Sequence, residues 1–217
     1  MKKEEHTISI KMKKQIFPSL IATSQKEFDK RYKKVSKLSK TLHLDVMDKK
    51  FVKTSSLDFE LELPKHNYKV HLMVKNPKEW IQENYTFAKT IVFHLEAVKN
   101  PRQIIKLIKS KKRKVGIAIN PRTPISKLTP YIKDLDQVTI MTVFPGQYGA
   151  KFQKSTLKKI KDLRFKYPKL NIEVDGSMSD KTISETSEAG ANLFTSGGYL
   201  QKSKDSKKAY KKLEKLI

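Results

Sequence analysis

His43 and Asp45 stand two residues apart in the apolar segment 41–47 (TLHLDVM). On an extended strand, residues i and i+2 point to one side, so an imidazole and a carboxylate project together. A second imidazole, His71, interrupts segment 68–74 (YKVHLMV), and a second carboxylate, Asp175, closes segment 170–176 (LNIEVDG). Each has an ordinary explanation when taken singly. A histidine within a strand is commonly a hydrogen-bonded core residue, and an aspartate at a strand end commonly caps the next helix. Brought together inside a fold, two carboxylates without partners would be costly. Two imidazoles with two carboxylates satisfy one divalent cation through mixed nitrogen and oxygen ligands, which suits zinc, iron(II), manganese or cobalt. The chain has no cysteine, so thiolate ligands and disulfides are excluded.

Glycines suggest a second kind of chemistry. The chain has 7, and five of them (Gly146, Gly149, Gly176, Gly197 and Gly198) follow the apolar segments 137–143, 170–176 and 191–198. Glycine lets backbone N–H groups come close to an anion, so this concentration predicts a phosphate site. Met47, Met73 and Met141 end apolar segments as well, and by themselves read as core packing.

Eight apolar segments are available to position these groups: 16–22, 41–47, 68–74, 90–97, 114–119, 137–143, 170–176 and 191–198. Amphipathic stretches or helical turns alternate with them, at 24–40, after Asn76-Pro77, at 101–110, from Pro124, and at 155–167, 180–189 and 206–217. No hairpin dipeptide follows a strand, so the connections predict parallel pairing. Eight strand–helix units in about 200 residues predict a closed (β/α)8 TIM barrel in a single domain rather than an open sheet. No glycine-rich dinucleotide signature follows the first strand. The domain is expected over 15–217, preceded by a basic extension at 1–14. In such a barrel the chemistry sits at the C-terminal ends of the strands, where the four candidate ligands fall.

The formal net charge is +25, almost all of it lysine, with only five arginines. Such a charge raises the prospect of a nucleic-acid partner. The lysines are nevertheless spread along the chain, and aromatic residues do not interleave with them as stacking platforms would require. A basic surface that draws in an anionic small molecule is the simpler reading. No apolar run approaches membrane-spanning length, and the N-terminus lacks a continuous apolar h-region. A cytoplasmic location is expected, with no specific nucleic acid and no membrane as partner.

Six motifs in order carry a family resemblance: Pro18-Ser19, HLDVMD (43–48), HLM (71–73), NPRTP (120–124), MTVFPG (141–146) and VDG (174–176). With HLEA (94–97), they make the chain from about Ile16 onward resemble the ribulose-phosphate 3-epimerase family. The resemblance implies that His43, Asp45, His71 and Asp175 hold one divalent ion per chain, and that Asp45 and Asp175 are also the acid/base pair. It implies that Ser19, Met47, His71, Met73 and Met141 face the sugar. The phosphate would lie against Gly146, Gln147, Tyr148, Gly149, Gly176, Ser177, Gly197 and Gly198. The sequence departs from the family pattern at 49–54, where G-H-F-V-P-N is usual. It departs also at 147–150, where a glycine of F-G-G-Q is missing, and at Ser177 and Gly198.

The reaction implied is interconversion of D-ribulose 5-phosphate and D-xylulose 5-phosphate in pentose phosphate metabolism. One carboxylate removes the C3 proton, the other returns a proton to the opposite face, and the metal stabilises the cis-enediolate between. No organic cofactor is needed, and a homo-oligomer is expected. An epimerase of allulose 6-phosphate or another hexulose phosphate stays open, because it would use the same groups. The orotidine-phosphate decarboxylase and hexulose-phosphate synthase group carries D-x-K-x-x-D on its second strand, and here no D-x-K precedes Asp48. A basic nucleic-acid-binding barrel without activity is the remaining alternative, opposed by the complete ligand set.

Overall fold

Short strands rich in Val, Ile and Leu are buried on both faces where helices cover one side and a closed lumen the other. The computed structural model, which describes residues 12–146 and 149–217, has that arrangement. Residues 1–11 of the expected extension, and Gln147 and Tyr148, lie outside the described residues. The strands are β1 (Gln15–Leu20), β2 (Thr41–Asp48), β3 (Ser55–Ser56), β4 (Asn67–Met73) and β5 (Ala88–His94). They continue with β6 (Lys114–Ile119), β7 (Gln137–Met141), β8 (Ile172–Asp175) and β9 (Leu193–Ser196). The order β1-β9-β8-β7-β6-β5-β4-β2 closes through parallel pairing of β1 with β2, giving the expected eight-stranded barrel.

Alternation along each strand separates two interiors. Leu42, Leu44 and Val46 of β2, Val70 and Leu72 of β4, and Ile172 and Val174 of β8 join one apolar core with Phe28, Ile105, Ile160 and Leu213 from the helices. Those helices are α1 (Gln25–Val35), α2 (Pro77–Asn84), α3 (Pro101–Ser110), α4 (Thr156–Lys166), α5 (Ile183–Glu188), α6 (Gly198–Lys202) and α7 (Ser206–Lys215). Their starts are written locally. The Ser24 side chain accepts from Glu27 N–H, Asn100 from Gln103 N–H and Asp205 from Lys208 N–H, while Pro77 and Pro101 open α2 and α3. The intervening strand residues turn into the lumen: His43, Asp45 and Met47 of β2, Lys69, His71 and Met73 of β4, and Glu173 and Asp175 of β8. At Gly116 of β6 a Cβ would stand 2.8 Å from Gln137 Cγ and 2.9 Å from Val92 Cγ2. The missing side chain makes room for Gln137 to reach across.

Two elements differ from the sequence reading. Helix α1 ends at Val35 rather than continuing to 40, because beyond Val35 its buried face gives way to Ser36 and Ser39, which favour turns. No helix follows β2. The chain reverses through Lys49 into β3, which pairs antiparallel with β2, Met47 opposite Ser56. Asp48 organises the reversal by accepting from the N–H groups of Lys50 and Phe51, and with its other oxygen from Lys75 N–H. Connection β6 to β7 holds only short 3₁₀ turns, at Ile125–Lys127 and Ile132–Asp134.

Lys49 holds a φ of 58°, the left-handed region, which costs an L-residue with a Cβ about 1–2 kcal/mol. Glycine removes that cost but loses roughly 0.5–1 kcal/mol to the freedom of its unfolded chain. Lys49→Gly should therefore raise stability by roughly 0.5–1 kcal/mol. Urea unfolding measures this, and a lower midpoint would contradict the strain assignment.

Candidate active site

Register brings the ligand candidates level. Asp45 of β2 lies opposite His71 of β4, and Met141 of β7 opposite Asp175 of β8. One ligand atom from each of His43, Asp45, His71 and Asp175 can be chosen so that all four lie within 4.8 Å of one another. Asp45 Oδ1 stands 3.1 Å from both His43 Nε2 and His71 Nδ1. Asp175 Oδ2 stands 3.0 Å from His71 Nδ1 and 3.6 Å from His43 Nε2. Both histidines are wholly buried, and the aspartates keep only a small face toward solvent. The four residues form a group that can hold a metal ion.

The electrostatics of the cluster are those of a cation site. Burial alone would push His43 down, but the charge and hydrogen bond of Asp45, with Glu173 and Asp175, raise it to about 10. His71 rises likewise to about 9 through Asp175 and Asp45. Burial opposes ionisation of Asp45, yet His43 and His71 hold its carboxyl below the ordinary value. Asp175 is pushed up, by burial and then by the charge of Asp45. In the protein alone, protons on the imidazoles supply the positive charge that the carboxylates demand.

Each histidine has its far nitrogen held as well. His71 Nε2 lies 3.0 Å from His94 Nε2, and His94 Nδ1 lies 3.3 Å from Glu96 Oε2. The two rings stack with centroids 5.0 Å apart. Burial pushes His94 down to about 4, the charge of His71 adds to this, and Glu96 offsets it only in part. A neutral His94 accepts from His71 Nε2–H and donates from Nδ1 to Glu96. Glu96 also accepts from Asn120 N–H at 2.8 Å and from the Thr123 hydroxyl. Burial would raise Glu96, but these bonds hold it down at about 2. On the other side, His43 Nδ1 lies 3.2 Å from Thr195 Oγ1, which donates to Glu173 Oε1 at 2.9 Å.

Above the cluster opens a cavity of about 720 Å3. Of the predicted sugar-side residues, Ser19, Met47, Met73 and Met141 line it, as do Asp45 and Asp175. His71 does not, since it has no exposed surface and is screened by the two aspartates. Gly146, Gly149, Gly176, Ser177, Gly197 and Gly198 line the same cavity, together with Lys202. Gln147 and Tyr148 lie outside the described residues. A Cβ on Gly176 would meet Val143 N at 2.9 Å, so backbone packs where a side chain would go. Ser177 holds a φ of 54°, keeping the left-handed turn that a glycine would adopt without strain.

The sequence reading missed Lys69, His94, Glu96, Glu173 and Thr195. The available signal was period two: Lys69 precedes His71 by two and Glu173 precedes Asp175 by two, so each shares a face with a candidate ligand. His94 tests the support on His71. With phenylalanine there, the ring stack survives but His71 Nε2–H loses its acceptor, which should cost about 2 kcal/mol. Urea unfolding of His94→Phe checks this, and unchanged stability would remove the hydrogen bond from the account.

The profile of the Ribulose-phosphate 3 epimerase family matches residues 15–201. The chain is 36% identical to ribulose-phosphate 3-epimerase of Schizosaccharomyces pombe, covering 84% of both chains. It is 32% identical to the Helicobacter pylori (strain J99) protein of the same name, covering 92% of this chain and 96% of that one. Among solved structures, 3-hexulose-6-phosphate synthase from Salmonella typhimurium aligns with a TM-score of 0.67 at 13% identity, over 93% of this chain and 97% of that chain. That likeness is one of fold. The sequence relatives carry more, and the chain, an epimerase acting on a sugar phosphate, belongs to the ribulose-phosphate 3-epimerase family.

Proposed function

We propose that this chain interconverts D-ribulose 5-phosphate and D-xylulose 5-phosphate, with one divalent metal ion held by His43, Asp45, His71 and Asp175. The observation that carries the reading is the convergence of two imidazoles and two carboxylates within 4.8 Å at the floor of a deep cavity. The donor set fits a transition metal of the zinc, iron(II), manganese or cobalt type. It also accounts for the histidines raised to about 10 and 9, which carry protons where a dication would supply charge. When bound, such an ion supplies Lewis-acid stabilisation of negative charge developing on the C2 oxygen.

The protein's own residues do the rest. Inversion at C3 requires proton removal from one face and delivery to the other, so a base and an acid must flank the sugar. Asp45 and Asp175 stand on β2 and β8, separated around the barrel by β1 and β9. Asp45 is held low and suits the base, while Asp175 is pushed up and suits the acid. The roles exchange in the reverse direction. Met47, Met73 and Met141 offer an aprotic lining that keeps water from the carbanion. Ser19 faces the sugar beside them, and the backbone near Gly146, Gly149, Gly176, Ser177, Gly197 and Gly198 takes the phosphate. The activity by which the sequence relatives are named favours the pentulose phosphate over a hexulose phosphate.

Turnover of ribulose 5-phosphate in heavy water tests the mechanism. The product should carry solvent deuterium at C3. Asp45→Asn and Asp175→Asn should each lower epimerisation by about a thousandfold or more, with metal content measured alongside. Either variant turning over near the parental rate with metal in place would overturn the two-carboxylate scheme. Allulose 6-phosphate, run in parallel, should turn over more slowly.

Metal affinity should depend steeply on pH. His43 and His71 are raised above the ordinary value, so both are protonated at neutral pH and must lose a proton to become ligands. Affinity should then rise with pH, by up to about 100-fold per unit below 9, as two protons leave for each ion bound. Chelator competition at three pH values between 6.5 and 8.5 measures the slope, and a flat response would contradict the ligand set.

A further inference from the structure

The lumen beneath the proposed metal site is charged, although barrel interiors of this kind are ordinarily filled by branched apolar side chains. Glu173 is completely buried at its centre, and four other side chains donate hydrogen bonds to it. Lys69 Nζ at 2.8 Å and Thr195 Oγ1 at 2.9 Å donate to Oε1. Gln137 Nε2 at 2.5 Å and Thr139 Oγ1 at 2.7 Å donate to Oε2. Lys69 is 3% exposed, with its ammonium 3.7 Å from the centroid of the Phe17 ring.

Hydrogen-bond direction follows from this arrangement. A carboxylate only accepts, so the single hydroxyl proton of Thr195 is committed to Glu173. Thr195 Oγ1 then offers His43 Nδ1 only lone pairs, and Nδ1 must donate. In the neutral ring that a metal requires, the lone pair is then left on the other nitrogen, Nε2, which faces Asp45 and Asp175. A buried carboxylate with no cation beside it is strongly unfavourable, and Lys69 is the cation hydrogen-bonded to Glu173, with His43 Nδ1 farther off at 3.7 Å.

We propose that Lys69 is a positioning residue which, through Glu173 and Thr195, fixes the polarity of the hydrogen bond on His43 and so presents His43 Nε2 to the metal. The inference rests on the metal reading above. A filler role would require only that the lumen be packed. A positioning role requires that the oxygen on the His43 side of Glu173 matter more than the other.

Two isosteric variants separate these roles. Thr195→Val removes the hydroxyl that bridges Glu173 and His43, leaving only the 3.7 Å approach of His43 Nδ1 to Glu173 Oε1, whereas Thr139→Val removes one hydrogen bond to the far oxygen of the same carboxylate. Zinc affinity, read by competition with a chromophoric chelator at fixed pH, should fall about tenfold or more in Thr195→Val and stay at the parental value in Thr139→Val. Lys69→Met combined with Glu173→Gln removes both charges and lets the introduced amide turn its NH2 toward Thr195, so affinity should fall similarly. If that double variant does not fold, the threonine pair decides alone. Equal zinc affinities for the two threonine variants overturn the positioning role. A parent chain that binds no zinc overturns the metal reading as well, whereas a parent that binds zinc beside unmoved variants overturns this inference only.

Discussion

Buried carboxylates dictate the organisation of this barrel. Asp45, Asp175 and Glu173 point into one lumen, and Glu96 lies just behind it. A carboxylate removed from water must find positive charge or a full set of donors. The polar side chains in contact with these carboxylates answer that demand. His43 and His71 answer Asp45 and Asp175, and Lys69, Gln137, Thr139 and Thr195 answer Glu173. His94, Thr123 and the Asn120 N–H answer Glu96. The outer apolar core is conventional by comparison, and it can be, because the strands alternate between the two interiors.

Much of this was legible in the residues. The eight barrel strands follow from apolar segments at a spacing that only crossovers satisfy, and the four ligand candidates from polar residues that interrupt them. Boundaries slipped where tertiary contacts decided them. Segment 90–97 reads as one strand, yet β5 ends at His94 and Leu95–Ala97 forms a 3₁₀ turn that carries Glu96 back beneath His94. The reversal after β2 was missed because its signal is the Asp48 side chain bonding to backbone N–H groups, which no hydrophobic period encodes. The supporting layer was missed for a different reason. Lys69 and Glu173 are residue types that belong on surfaces, and only closure of the barrel, which sets β4 across the lumen from β8, makes them neighbours.

Two departures from the family's motifs adopt a left-handed backbone. Lys49 and Ser177 stand where the motifs usually have glycine, and both adopt positive φ. The surrounding contacts impose the conformation on a residue that resists it. Lys49 N–H reaches Thr54 O at 3.2 Å, and Thr182 Oγ1 donates to Ser177 O at 2.8 Å. Conformation at these loops is thus set by the scaffold, and residue type adjusts only its cost.

The mouth of the cavity is built apart from the rest. Met47, Val52 and Met73, with Ile21 and Phe51 packed on them, form an apolar cluster that does not merge with the main core. Thr54 ties this rim to the loop after β7 by donating to Gly146 O at 3.1 Å. A cluster of so few side chains has little cooperativity of its own. Apart from Phe51, whose ring lies 4.9 Å from that of His94, the rim can therefore accept substitutions that reshape the opening while the strands that align the four inner ligands keep their geometry. The shape of the opening and the integrity of the fold are in this way placed largely under different residues.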